Sequence, residues 1–555
     1  MGVLPVLERG ARSALAVFVA VEVIALPTLL ILGSHSWFGI DDWDFLAQRD
    51  GGDIEDLLRP HNEHWSTLPI LVYRALFRLV GLRSYLPYQA VLVVLHLTVA
   101  ALLRVVMRRS GVGPWLATAS ASLFVLLGSG AQNIVWAFQI GFVGSLVFGL
   151  AHLLLADHEG PLDRRDWFGL AAGVLGMLCS GVAVTMVIVV GLSTAIRRGW
   201  RVAALHAAPL ALLFGVWWIG IARDHYEGTV GGPTGTVWRF IANGVGAAVE
   251  GMGQWRGAAA VVAILLAVGL VLAWVPLDRT QLRIRAAAPA AMLVGSIVFL
   301  AISGIGRANV IGLGPEFARA TRYVHLVSAL ALPAIAVGAQ AIARRWRAMG
   351  PVVLAMIVIG IPGNVRILVD GHRDYKASYR ERRLQMLSYP RVPVADEVPR
   401  WVSPDLGVTI GWLLDGVASG RVPDPGPLDA THVADATLRL ALHQSGRPRS
   451  QGPDDAFLRV IGERAVGERQ AKEDCGSPAV APAQVVLEKG RSIGIHGGRV
   501  GVAYFTPEGA RSHLVSFEPS LGHDLVALAG PLTLRLDANN PEQPVFLCVQ
   551  GRRTT

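Results

Sequence analysis

The sequence predicts a polytopic α-helical membrane protein with a C-terminal extracytoplasmic α+β domain that contains a small β-sandwich. Three observations carry that reading. Only 16% of the 555 residues are charged, against about 25% in an ordinary soluble domain. Apolar runs long enough to cross a bilayer recur through the first two thirds of the chain. After Asp370 charge and proline become frequent, no run spans a membrane, and short β-type segments follow.

About eleven spans are expected, at 11–33, 85–107, 113–129, 135–156, 167–179, 181–196, 202–222, 257–275, 286–304, 322–343 and 350–369. The first is too long for a signal h-region and lacks a clear small-residue cleavage site, so it reads as an uncleaved span. Arginines mark the cytoplasmic ends: Arg9 and Arg12, Arg108 and Arg109, Arg164 and Arg165, Arg197, Arg198 and Arg201, Arg279, Arg283 and Arg285, and Arg344, Arg345 and Arg347. Residues 167–196 have the length of one helix, but arginine clusters at both ends require the same side of the membrane. The segment therefore turns back at Ser180 and Gly181; the alternative is one long tilted helix with inverted topology after it.

This count puts the N-terminus in the cytoplasm and the C-terminal domain outside. The loops 34–84, 130–134, 223–256 and 305–321 are then outer loops. The segment 236–254 carries Trp238, Arg239 and Phe240 on a small apolar background and reads as an interfacial or re-entrant helix. The formal charge of +9 lies mainly in these span-end arginines, so it signals topology and not a nucleic-acid partner. Lysine occurs only at 376, 472 and 489, which is the codon bias of a GC-rich bacterial genome. The expected location is the bacterial plasma membrane.

Domain limits are expected at 1–370 for the membrane part, 371–482 for a linker and helical segment, and 483–555 for the β-rich domain. Helical patterns fall at 406–420 and 430–444, and strands at 483–487, 492–495, 500–505, 514–517 and 532–536. Of the three cysteines, Cys179 reads as a small buried residue. Cys475 and Cys548 either pair in an oxidising compartment or stay as two thiols.

The richest chemistry lies in the first outer loop. Asp41, Asp42, Trp43 and Asp44 come soon after the first span, followed by an acidic run to Asp56 and then by His61, Asn62, Glu63, His64 and Trp65. An Asp at headgroup level can take a proton from an attacking hydroxyl. Adjacent side chains point apart on an extended backbone, so one of Asp41 and Asp42 is the base and the other orients its surroundings. The alternative is that both cap a helix starting near Trp43. His61, Glu63 and His64 can bind sugar hydroxyls, with Trp43 or Trp65 stacking on a ring face, or can form a helix start at the interface. Their types allow a divalent ion, but the spacing matches no tight metal motif, and no cofactor is implied.

Residues 65–80 repeat apolar groups at helical spacing, with Arg74 and Arg78 on another face. Arg307, Arg319 and Arg322 lie in or beside a late outer loop, where positive-inside bias disfavours arginine. Either they bind phosphate in fork geometry, or they pair with Glu316 or with the acidic first loop. Gln132, Asn133 and Gln139 enter the fourth span and face the protein interior, lining a cavity or packing helices.

The placement of these residues resembles the GT-C superfamily of membrane glycosyltransferases. Asp41-Asp42-Trp43 stands where its catalytic Asp motif is expected, 65–80 where a juxtamembrane helix is expected, and Arg319-Ala320-Thr321-Arg322-Tyr323 looks like a late-loop segment of bacterial members. The resemblance covers the membrane part, about two thirds of the chain. It is also similar to actinobacterial wall-building members in its β-rich outer domain. It implies an inverting transferase with a polyprenyl-phosphate sugar as donor and an envelope glycan, glycolipid or protein as acceptor. Asp41 or Asp42 is then the base. Trp43, Asp44, His61, Glu63, His64, Trp65, Gln139, Arg307, Arg319 and Arg322 contact the substrates. The alternatives are a transporter or flippase for a lipid-linked glycan, and a non-catalytic scaffold that binds envelope glycan. A transporter would place ionisable residues near mid-membrane, where only the scattered Glu22, His96 and His152 qualify.

Overall fold

A computed structural model describes residues 4–49, 52–225, 234–255, 257–308, 314–405, 407–444, 479–496, 499–517, 524–539 and 545–550. The chain divides into two compact units. The first is Met1–Ser36, Arg49–Leu76 and Ser84–Lys376; the second is Trp37–Gln48, Phe77–Arg83 and Ala377–Thr555.

The first unit is a helical membrane body. Seven helices among the described residues are long and apolar enough to cross a membrane: Gly10–Gly33, Leu86–Arg109, Ala137–Ala156, Trp200–Gly220, Arg279–Arg307, Thr321–Arg345 and Met349–Arg391. Their outward residues are apolar, as with Ile24 at 66% exposed, which suits lipid and not water. Each of the eleven predicted spans contains a helix, but four fall short. Pro114–Val125 has 12 residues, Arg164–Met177 has 14, and Val182–Arg198 and Ala258–Trp274 have 17 each. At 1.5 Å per residue these reach only about 18–26 Å, less than a hydrocarbon core of about 30 Å.

The span predicted at 113–129 is therefore corrected. Its helix ends at Val125, and the chain continues through the short turns Gly128–Gly130, Gln132–Val135 and Ala137–Gln139. Such irregular backbone is stable at membrane depth only where protein covers and satisfies it. Here Asn364 Oδ1 accepts from Ser129 N–H at 2.9 Å, and the Tyr85 hydroxyl accepts from Ala137 N–H at 3.0 Å.

Residues 164–198 form a hairpin. Arg198, at the end of the second helix, donates to Asp166 in the first turn of the first helix. One continuous helix would hold these residues about 48 Å apart. Asp166 is fully buried, and His206 Nε2 (3.0 Å) and His158 Nε2 (3.2 Å) also approach its carboxylate. His206 Nδ1 in turn meets His152 Nε2 at 2.9 Å. At the turn, the Ser145 hydroxyl donates to the carbonyls of Gly176 and Ser180 (2.9 and 3.2 Å).

The segment read as interfacial is the helix Thr234–Gly253, which meets Ala258–Trp274 at 95°. Ala258–Trp274 packs closely on Thr321–Arg345. A Cβ at Gly269 would lie 2.6 Å from the Gly338 backbone, so only glycine permits the contact.

The linker and helical segment expected from 371 begins as one long helix, because Gly360–Ser388 runs on without a break. Residues 371–388 are rich in helix-forming charged residues and contain no proline. The rise in charge there marks departure from an apolar setting and not loss of structure. Short 3₁₀ turns follow at Tyr389–Arg391 and Pro393–Asp396.

The second unit holds helices Ile410–Ala418 and Ala430–Ala441 and two antiparallel sheets. One sheet orders its strands as Leu442–Gln444, Asp524–Ala527, Ser492–His496, Phe546–Gln550 and Ala479–Val480. The other orders Ala483–Leu487, Leu532–Ala538, Val500–Phe505 and Val515–Phe517. Alternate residues Leu532, Leu534 and Leu536 are buried, the period-two pattern of a half-buried strand. The limit predicted at 482 does not part the helices from the sheets, since Leu442–Gln444 pairs with Asp524–Ala527. Cys179 is a free, buried thiol; Cys475 lies outside the described residues.

Candidate functional site

The predicted site residues fall in both units. In the second unit, Ile40–Leu46 forms a short helix capped by Gly39. Asp42 is its third residue; its Oδ2 accepts from Gly39 N–H at 2.7 Å, and its side chain is fully buried. Asp42 thus does the capping work. Asp41 is half-buried, and no hydrogen bond or ion pair engages it among the described residues. Asp44 is buried and engaged within the fold. Trp43 is 1% exposed. Its ring lies against Trp37 and Phe38 (5.7 Å each) and Trp412 (6.3 Å). These contacts make it a core aromatic, without an open face for the sugar stacking that its sequence position implied.

In the first unit, Arg49 organises the acidic part of the loop. It is 4% exposed. Its guanidinium donates to the carbonyls of Asp56 (3.0 Å), Arg59 and Pro60 (2.9 Å). Arg74 donates to the Arg49 carbonyl at 2.7 Å. Sequence reasoning passed over Arg49, because carbonyls seven to eleven residues away leave no spacing signal. Arg49→Ala removes a donor from several carbonyls and is expected to loosen 52–60 by about 1–3 kcal/mol. Limited proteolysis checks this; wild-type resistance in the variant would refute the role.

The loop then closes into a tight turn. His61 and His64 exchange both backbone hydrogen bonds at 3.0 Å, and Asn62 takes the left-handed conformation at φ 52°, which asparagine tolerates better than most residues. The turn presents His61, Glu63 and His64. His61 meets the Phe138 ring edge-on at 5.1 Å, and His64 meets Phe142 at 5.0 Å. Trp65 is committed to packing: it stacks on Trp217 at 5.0 Å and 6°, and its Nε1 donates to the Thr67 hydroxyl at 2.8 Å. As with Trp43, one ring face is already covered by protein.

Glu63 receives Arg307, whose Nε donates to Oε1 at 3.0 Å and whose Nη2 makes a second, shorter contact. Burial alone would raise the Glu63 carboxyl, but the charges of His64 and Arg307 and the Arg307 hydrogen bond outweigh it and hold the pKa at about 2. Burial lowers His64 to about 4 against the pull of Glu63. At neutral pH the imidazole is uncharged, and Arg307 is the cation that holds Glu63. The folded carboxyl lies below its ordinary 4.5, so its stabilisation is present above 4.5 and is lost as pH falls towards 2. Glu63→Gln is expected to cost roughly 1–2 kcal/mol for this partly exposed pair, evenly from about pH 5 to 9 and less below about pH 4. Denaturation of both proteins across pH tests it; a gap that widens towards acid would contradict the sign.

The other predicted cations separate. Arg319 pairs with Glu250 at 2.9 Å. Glu316, the partner considered for these arginines, accepts instead from Asn243 at 2.9 Å. Arg322 has no carboxylate partner among the described residues; its guanidinium lies over the rings of Phe317 (5.2 Å) and Tyr323 (5.6 Å). Gln139 is 2% exposed, and its Oε1 has no hydrogen-bond partner among the described residues. Among the described residues, His158, Asp163 and Asp166 form a His and carboxylate grouping within ion-holding distance, with ligand atoms inside 4.8 Å. Arg165 and Arg198 already neutralise its two carboxylates, and it includes no residue of the 34–84 loop.

No family model matches the chain, and no curated protein matches it. Among solved structures it is similar to the crystal structure of ArnT from Cupriavidus metallidurans in the apo state. The TM-score is 0.44 and the identity 13%, over 94% of this chain and 100% of that one. A likeness of that degree decides no chemistry, which this chain's own residues must carry.

Proposed function

We propose that the protein is an integral-membrane inverting glycosyltransferase that takes its sugar from a polyprenyl-phosphate donor. The acceptor is an envelope glycan, glycolipid or protein at the outer face of the bacterial plasma membrane. The observation that carries the reading is Arg322. It stands in the first turn of the Thr321–Arg345 membrane helix, where the helix dipole disfavours a cation, and no carboxylate among the described residues pairs with it. A guanidinium with no carboxylate partner among the described residues is suited to an anion. At the lipid headgroup level that anion is a phosphate. Arg307, at the end of the preceding membrane helix, is held in place by Glu63.

In the proposed reaction the acceptor hydroxyl attacks the anomeric carbon, and the bond from that carbon to the donor phosphate breaks. Polyprenyl phosphate leaves with the electron pair, and the acceptor proton passes to Asp41. Asp41 is favoured over Asp42 because Asp42 is buried as a cap. His61, His64 and Glu63 shape the sugar site.

The test uses purified protein in lipid with a panel of radiolabelled polyprenyl-phosphate sugars. Release of polyprenyl phosphate together with label in an envelope acceptor is the expected result. Donor binding without release, for every sugar, would reject the transferase and favour a transporter or scaffold.

A further inference from the structure

Arg322 is gripped through its backbone by Gln132, which is partly exposed, and by Asn133, which is fully buried. The Gln132 Oε1 accepts from Arg322 N–H at 3.4 Å, and Gln132 N–H donates to the Thr321 hydroxyl at 3.4 Å. The Asn133 amide donates one hydrogen to the Arg322 carbonyl at 3.1 Å. It meets His325 Nδ1 with the other at 3.3 Å. These two contacts fix the proton positions further in. His325 Nδ1 must accept, so its proton sits on Nε2 and points at His96 Nδ1, 3.0 Å away. His96 then carries its proton on Nε2, which donates to the Val125 carbonyl at 3.0 Å. Asn133, His96 and His325 are all fully buried.

Every ring nitrogen of both histidines is thus satisfied in one neutral, directional chain. It leaves no vacant position for a carried proton, which separates it from a transport relay. It runs from the carbonyl where the Pro114–Val125 helix ends, across two membrane helices, to the peptide of Arg322. Nothing in a simple helix–helix contact requires three fully buried polar side chains here, where each unsatisfied group is costly.

We propose that Gln132, Asn133, His325 and His96 are positioning residues that hold the first turn of Thr321–Arg345, and with it the Arg322 guanidinium, for the donor phosphate. The proposal rests on the reading of Arg322 given above. It assigns the 128–139 break in the helical path a purpose: the irregular backbone brings two amide side chains to the end of another helix.

The test uses the full-length protein in nanodiscs with polyprenyl phosphate, without sugar, as the probe. Amide hydrogen exchange over 320–326 is read alongside. Asn133→Ala and His325→Leu are expected to weaken binding about tenfold, speed exchange in 320–326, and raise KM for the donor more than they lower kcat. His325→Asn keeps an acceptor facing Asn133 and is expected to restore binding. Asn133→Ala added to Arg322→Gln is expected to cost nothing further in binding. A full additional loss in that double variant, or equal loss in His325→Asn and His325→Leu, overturns the positioning role. Binding that ignores Arg322→Gln overturns it through the phosphate reading itself, and the exchange rates then report whether the grip exists without that use.

Discussion

The Asp41→Asn variant is expected to fold and to bind donor, yet to transfer sugar about 10²–10⁴-fold more slowly than wild type, the usual contribution of a positioned general base. Asparagine keeps the shape of the side chain and removes only its capacity to take a proton. Asp42→Asn is the matched control. Its carboxylate accepts from Gly39 N–H inside the core, so that variant is expected to lose about 0.5–2 kcal/mol of stability from a weakened cap. Its turnover per folded molecule stays near wild type. Steady-state transfer assays with thermal unfolding on the same preparations separate the two. Loss of turnover in Asp42→Asn alone would move the base by one residue; unchanged turnover in both would remove catalysis from this helix.

The second large effect concerns the Asp166 hairpin. Asp166→Asn leaves Arg198 buried without its carboxylate, and such a broken pair costs about 3–5 kcal/mol. The two histidine contacts weaken with it. Asp166→Asn with Arg198→Met removes the stranded charge as well and is expected to recover a large part of the loss. Unfolding midpoints in lipid decide it. A double variant that is as unstable as the two single losses added together would mean that the pair does not act as a unit.

How much of this could be read in advance follows from the range of the forces. Apolar runs and their arginine ends are local signals, and they located the helices. Charge also resolved the 164–198 hairpin, because Arg164 and Arg198 each belong to the same side. The aromatic roles were not legible. Trp43 and Trp65 stood among polar residues like ligand-stacking groups, but their partners Trp412 and Trp217 lie far along the chain. The continuity of the Gly360–Ser388 helix past residue 370 was not legible for a related reason: composition reports the surrounding solvent before it reports backbone conformation. The pairing of Arg307 with the acidic loop was legible as one of two options, and the structure supplies the partner, Glu63. Asn133 and His96 were legible singly as polar groups at membrane depth, but the chain that joins them through His325 had no sequence signature, since its members lie on separate elements.

The short helix that carries Asp41 is folded by a unit most of which follows residue 376. Its Trp43 packs on Trp412, and Phe77 stacks on the same ring at 5.2 Å. Gly407 brings its backbone so near Gln48 that a Cβ would lie 2.1 Å from the amide nitrogen, and one at Gly81 would lie 2.2 Å from the Arg421 carbonyl. In engineering terms the C-terminal domain is not a detachable cassette. A chimaera that joins residues 1–376 to a foreign C-terminal domain would strip the proposed base of its packing while leaving its sequence intact. Any transplant meant to change the acceptor has to carry 37–48 and 77–83 along with it.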